Sequence, residues 1–429
     1  SLASLCLVGC WNADRAGDRA CVEAVSGKPY EIVEQELQDL ALVDDSPVVR
    51  IGTVWKAKAS IELLFNLGPR LTQSQIHRFF DVALSVLTKP DPALELDPDK
   101  RWMANVYGKV RDESGLAIDA ITDSLARLAV HAEAVGGNNA QDLIDRTNSL
   151  VRELLHDADK ERWLSLGGVL RELAEAAPDE FLSAIEASLS RSDTPVIELI
   201  RETSDGVFGR CTHADLLWSL EVLAWEPRHL ARVSLILIRL SEVPVPGNWA
   251  NTPLNTLKLL FLSWMPQTTA TVERRLAVLD RLIERNPQPA WNLVLELLPA
   301  VTGGIASPNA TPRWREYNAG FSRAVLRSEM IESDRQIAER ALQLADRTPA
   351  RIEALFDHVD ALAPDHQQKF VELVKAATSA DDEERETIRA RLRKYLHWHN
   401  SFNSDGGQHS RFVADELSQS FDALASPDL

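Results

Sequence analysis

Methionine, tyrosine and cysteine are scarce in this chain of 429 residues, at three, four and four copies. Cys6, Cys10, Cys21 and Cys211 make no disulfide framework, so a reduced, cytoplasmic protein is expected. Cys6 and Cys10, one helical turn apart, read as small core residues. No apolar run approaches the roughly 20 residues of a membrane span, so no membrane partner is expected. Cations are outnumbered too: 46 Lys and Arg against 64 Asp and Glu leave a net charge of −18. That argues against a nucleic-acid surface, which needs a clustered basic face. GxxxxGK[ST], GxGxxG, HExxH, GxSxG and CxxC are all missing, which removes the easily recognised enzymes and leaves no catalytic or cofactor-binding residue to name. Ser26-Gly27-Lys28 lacks the upstream glycine and the following Ser or Thr of a phosphate loop. Leu7-Val8-Gly9-Cys10 matches a lipoprotein cleavage box, but no basic n-region precedes it. With no initiator Met either, the expectation is a chain cut from something longer.

What is present is helical. The stretch Leu230 to Tyr317 runs through four apolar segments separated by proline turns at Pro266, Pro287 and Pro299. In one of them Val272, Leu276, Leu279, Leu282 and Ile283 recur at helical spacing. Around Pro178, Pro227, Pro287 and Pro349 the same unit returns: an apolar helix, a few polar residues, a proline, a second apolar helix. These prolines stand 49, 60 and 62 residues apart, as hairpins with variable insertions would give. A single hairpin buries only part of its apolar surface, so stacking is expected. The fold class read from this is all-α, an α-solenoid of HEAT-like or TPR-like hairpins over residues 141–429.

Ahead of it, three short helices (2–11, 18–25 and 30–42) precede VVRIGTVWKAK, two β-type runs around Gly52 that predict a hairpin at about Val48–Lys58. That order is a small winged-helix-like domain over 1–59, with a helical connector over 60–140. Its third helix carries Glu31, Glu34, Glu36 and Asp39 and no Lys or Arg, so duplex DNA is not expected as a partner. In the connector, helices are predicted at 61–67, 75–87, 102–110 and 116–135, with a solvated loop at 88–100.

Chemistry-bearing candidates are few. His397-x-His399 with His409 nearby could ligate zinc through two nitrogens, but incomplete ligation favours a polar helix terminus and no metal. Arg274 and Arg275 read as ion-pairing residues. Eleven tryptophans are present, most of them expected in the core. Trp249, with Asn248 and Asn251, and Trp314, with Arg313 and Arg315, lie instead in the two longest insertions, at 244–253 and 302–315. Loops on one side of a solenoid often build its binding surface, and these residue types are typical interface anchors. Alternatively, both loops fold back and clamp adjacent hairpins through their tryptophans.

The opening LVGCWNADRAGDRACVEAVSGKPYEIVEQELQDL, with the hairpin, resembles the winged-helix segment after the ATPase core of bacterial STAND-type, NLR-like NTPases. NWANTPLNTLKLLFLSWMPQTTATVERRLAVLDRL, followed by PAWNLVLELLP and PRWRE, is similar to the helical C-terminal half of very large proteins of this kind, some associated with antiphage defence. The P-loop and any effector domain would then lie upstream of Ser1. The resemblance implies a helical sensor and an NTPase switch. The function expected is thus a non-catalytic binding and regulatory module, with a protein or its own upstream NTPase domain as partner. The rivals are a plain helical scaffold or adaptor and, third, an unrecognised enzyme using the His397–His409 region.

Overall fold

The structure is a computed structural model that describes residues 2–203, 211–299, 309–319, 325–346, 348–377, 382–402, 412–419, 421 and 424. It is mostly helical, with one small sheet among the described residues. The predicted hairpin is present: β2 (Val48–Ile51) pairs antiparallel with β3 (Val54–Ala57) across a turn where Gly52 takes φ 61°, a conformation natural to glycine. A third strand joins it. The first helix stops at Leu7, Gly9 turns the chain at φ 74°, and β1 (Cys10–Asn12) pairs with β3. The expected helix over 2–11 is therefore shorter, because Trp11 is drawn into register opposite Trp55. Both indoles are buried, and Trp11 donates to the Tyr30 hydroxyl at 3.3 Å. Helix, strand, two helices (Ala16–Ser26, Tyr30–Ala41), then two strands in the sheet order β1-β3-β2, give a winged-helix topology.

The remaining described residues form helix pairs. Leu170–Ala176 passes to Pro178–Ser190 through Ala177 alone, and Val272–Arg285 to Pro287–Leu297 through Asn286 alone. Arg327–Ala345 and Pro349–Leu355 also follow one another, with three residues, 346–348, between them. Pro178, Pro287 and Pro349 each occupy the first position of a second helix, where the missing N–H has no intrahelical partner to lose. Pro227 instead lies in the turn between Ala214–Ala224 and Leu230–Leu240. Thr72 and Gln75 close a capping box at the start of Gln73–Thr88.

One further expectation is corrected. Residues 102–110 are not an α-helix: a 3-10 helix, Pro98–Met103, runs into turns closed by Lys109 N–H on the Ala104 carbonyl at 2.9 Å. Val106 there is 80% exposed, so no apolar face rewards helix formation. Arg275 is buried and donates to the Leu262 carbonyl at 2.9 Å, while burial lowers its pKa to about 10. Among the described residues, no helix is long and apolar enough to cross a membrane.

The chain divides into two compact units, Ser1–Pro253 with Asn309–Ala319, and Leu254–Pro308 with Gly320–Leu429. Both expected borders, after 59 and after 140, fall inside the first unit. The winged helix is sewn to the helices that follow it there. Asp18, fully buried, accepts the Asn12 N–H at 2.7 Å and the Ser114 N–H and hydroxyl at 2.6 Å each. Arg15 donates to the Arg111 carbonyl. Gly17 lies so close to Asp112 that a Cβ would sit 2.5 Å from its carbonyl carbon. In the second unit Arg340 takes both oxygens of Asp280 at 2.6 and 2.9 Å, and Arg351 lies 5.3 Å over the Trp291 ring.

Candidate functional site

Three helices of the first unit pack side by side: Gly115–Val130, Leu170–Ala176 and Ala214–Ala224. The first is capped by Ser114, whose hydroxyl accepts the Ala117 N–H at 3.2 Å. On it, Asp119, Asp123 and Arg127 recur at a spacing of four, which places them along one face. The second helix adds Arg171, Glu172 and Glu175, and the third adds Glu221, with Trp225 just past its end. The result is a groove lined mainly by carboxylates.

Across it lies the segment 309–319, a strap. The Ala310 N–H donates to Glu221 at 2.8 Å, and the Ala310 carbonyl accepts from the Trp225 indole at 2.9 Å. Arg171 donates to the Thr311 carbonyl at 3.0 Å. Three successive N–H groups then converge on Glu175: Arg313 at 2.9 Å, Trp314 at 2.7 Å and Arg315 at 3.2 Å. Glu175 is 1% exposed, and a buried carboxylate is tolerated only with such donors. The Arg315 side chain returns to the Glu175 and Ala176 carbonyls at 2.5 and 3.2 Å.

The Trp314 indole donates to Asp123 at 2.8 Å, and Arg313 pairs with the same carboxylate at 3.1 Å. Guanidinium groups of Arg313 and Arg127 lie 4.8 and 5.7 Å from the indole ring. Burial holds the Arg127 pKa below its ordinary value. Asp119 and Glu172 are pushed the opposite way, up from their ordinary values, first by burial; Asp123 raises both further. Beside the strap opens a cleft of about 350 Å³, walled on the far side by Ile61 and His131. Towards the C-terminal end of the strap, Tyr317 packs edge-on against His229 at 6.0 Å.

The other insertion behaves similarly. Trp249 meets His213 edge-on at 6.4 Å. His213 is fully buried; its Nε2 lies 2.7 Å from the Asn251 carbonyl, which can only accept, and its Nδ1 lies 2.7 Å from the Thr203 hydroxyl. Nε2 therefore carries a proton, and burial lowers the pKa of the ring, against the Asn251 hydrogen bond. Asn248 is exposed.

Of the six residues singled out in the sequence, Trp314, Arg313 and Arg315 meet on Asp123 and Glu175, while Trp249 and Asn251 meet at His213. Residues 302–308 lie outside the described residues, as does His409. His397 and His399 point apart: His397 is exposed, whereas His399 is buried, with Nε2 3.0 Å from Asp360. Sequence reading missed Asp123, Glu175 and Glu221. Their one signal was carboxylates within otherwise apolar helical stretches, a pattern shared with ordinary solvated faces. No protein-family model matches the sequence, and no curated protein matches it.

Proposed function

We propose that this chain is a non-catalytic binding and regulatory module, the sensor and regulatory part of a larger STAND-type NTPase that recognises a macromolecular partner. The observation that carries the reading is the seat of the winged helix on the helix pairs. Asp18 takes Asn12 and both donors of Ser114, and Gly17 permits backbone contact at Asp112. A winged helix held in this way follows whatever its helical neighbours do, which is what a relay between sensor and switch requires. Its third helix faces solvent with Glu31 and Asp39, a surface that repels phosphates and suits a protein neighbour.

The test is nucleotide hydrolysis by the protein in its full reading frame, with and without Asp18→Asn plus Ser114→Ala. Loosening the seat should raise basal hydrolysis. Unchanged hydrolysis, or a reading frame without an NTPase, would overturn the reading. A plain scaffold is the second reading, favoured by the engagement of Trp249 and Trp314 inside the first unit.

A further inference from the structure

We propose that the acidic groove formed by Gly115–Val130, Leu170–Ala176 and Ala214–Ala224 is a recognition site for extended basic–aromatic peptide segments, with residues 309–317 as its occupant in cis. The groove takes its purpose from the sensor reading above, on which this assignment rests: a sensor needs a surface its partner can compete for.

Main-chain groups account for much of the binding. Glu221 and Glu175 accept N–H groups of residues 310, 313, 314 and 315, and Trp225 and Arg171 donate to carbonyls 310 and 311. Recognition through the backbone tolerates many sequences, as in other modes of extended-peptide capture. Selectivity comes from side chains. Asp123 takes both an indole N–H and a guanidinium, Arg127 faces the ring, and the carbonyls of Glu175 and Ala176 take a second guanidinium. The groove therefore prefers Arg-aromatic-Arg, the Arg313-Trp314-Arg315 sequence the chain itself supplies. Charge points the same way. The three helices carry Asp119, Asp123, Glu172, Glu175, Asp215 and Glu221 against two cations, Arg127 and Arg171.

The strap packs within the same compact unit as the helices that hold it, yet it is remote from them along the chain: the last groove helix ends at Ala224, and the strap begins at Asn309. Such a segment acts as a tethered competitor, present at high effective concentration and displaced by a partner segment that binds more tightly.

The probe is a fluorescein-labelled peptide of residues 309–317, Asn-Ala-Thr-Pro-Arg-Trp-Arg-Glu-Tyr, titrated by anisotropy against the whole chain. Wild type should bind it weakly, because the strap occupies the groove. Arg313→Ala, Trp314→Ala and Arg315→Ala together should bind it about tenfold or more tightly than wild type. Adding Glu175→Gln and Asp123→Asn should abolish that gain. Equal affinity for wild type and the triple variant, or binding that survives Glu175→Gln with Asp123→Asn, overturns the assignment. Should the triple variant not fold, hydrogen exchange on the wild type decides. Excess unlabelled peptide should speed exchange of the chain's own amides at 313–315, and unchanged protection overturns the assignment. Failure of either peptide test with hydrolysis still altered by Asp18→Asn plus Ser114→Ala removes the groove and keeps the sensor. Peptide capture with unaltered hydrolysis removes the sensor and keeps the groove.

Discussion

The indole of Trp314 donates to the carboxylate of Asp123 at 2.8 Å across 191 residues of chain. That bond makes Trp314 the strap's main side-chain anchor, and its removal should be felt as stability. Trp314→Ala should lower the unfolding free energy of the first unit by about 2–4 kcal/mol, from lost burial together with the lost hydrogen bond. Trp314→Phe keeps most of the area and should cost about 1–2 kcal/mol. Urea midpoints measure both, and an unshifted midpoint for the alanine variant would mean that the strap rests loosely on its groove.

Acid should weaken the same unit through His229. It is 1% exposed, and burial, followed by Arg228, pushes its pKa down to about 4, against the pull of Asp179 at 3.8 Å and of Glu226. The folded chain takes up this proton near 4 and the unfolded chain near 6.5. Between those values the unfolded state binds more protons, so stability falls as pH drops through the window. The loss should not exceed about 3 kcal/mol. Burial shifts His131 and His213 in the same direction, so the decisive comparison is with His229→Asn, whose stability should fall less between pH 6.5 and 4.

Gly17 and Gly115 make a matched pair. A Cβ on Gly17 would lie 2.5 Å from the Asp112 carbonyl carbon and 2.7 Å from the Glu113 nitrogen, all of it backbone. Gly17→Ala should therefore cost roughly 2 kcal/mol or more, since neither strand of chain can yield cheaply. A Cβ on Gly115, the first residue of its helix, meets nothing within 4 Å. Gly115→Ala should be neutral or stabilise by about 0.5 kcal/mol. Melting temperatures of the two variants should move apart; a parallel shift would contradict the close approach at Gly17.

Duplex DNA should not bind at physiological salt. The third helix of the winged helix exposes Glu31 and Asp39, and its Glu36 already pairs with Lys28 at 2.6 Å. A fluorescence titration that gave micromolar affinity, weakening steeply with added salt, would contradict this.

Helix periodicity and proline placement were enough to read the helix pairs, because Pro178, Pro287 and Pro349 mark helix starts by a local steric rule. The Val48–Ala57 hairpin was legible for a similar local reason, the β-branched runs on either side of Gly52. Strand β1 was not: three residues, Cys10–Asn12, carry no measurable alternation, and only the distant Trp55 gives them a partner. Trp249 and Trp314 were visible as tryptophans in insertions, with binding and clamping both open. What the sequence left hidden was the receiving side. Asp123 and Glu175 read as ordinary helical carboxylates until folding brings residues 139 and 191 positions away onto them. Long-range pairing of that kind has no periodic signature.

The place of the strap in the chain orders events during synthesis. Residues 1–253, which carry every helix of the groove, are synthesised before the groove's own occupant exists, since 66 further residues run from Pro253 to Ala319. At a translation rate of about 5–20 residues per second, the groove stays empty for roughly 3–13 s on each nascent chain. Over that interval Glu175 and Asp123 face water or a passing cationic segment, and a chaperone or a neighbouring nascent chain meets the acidic surface before the strap does.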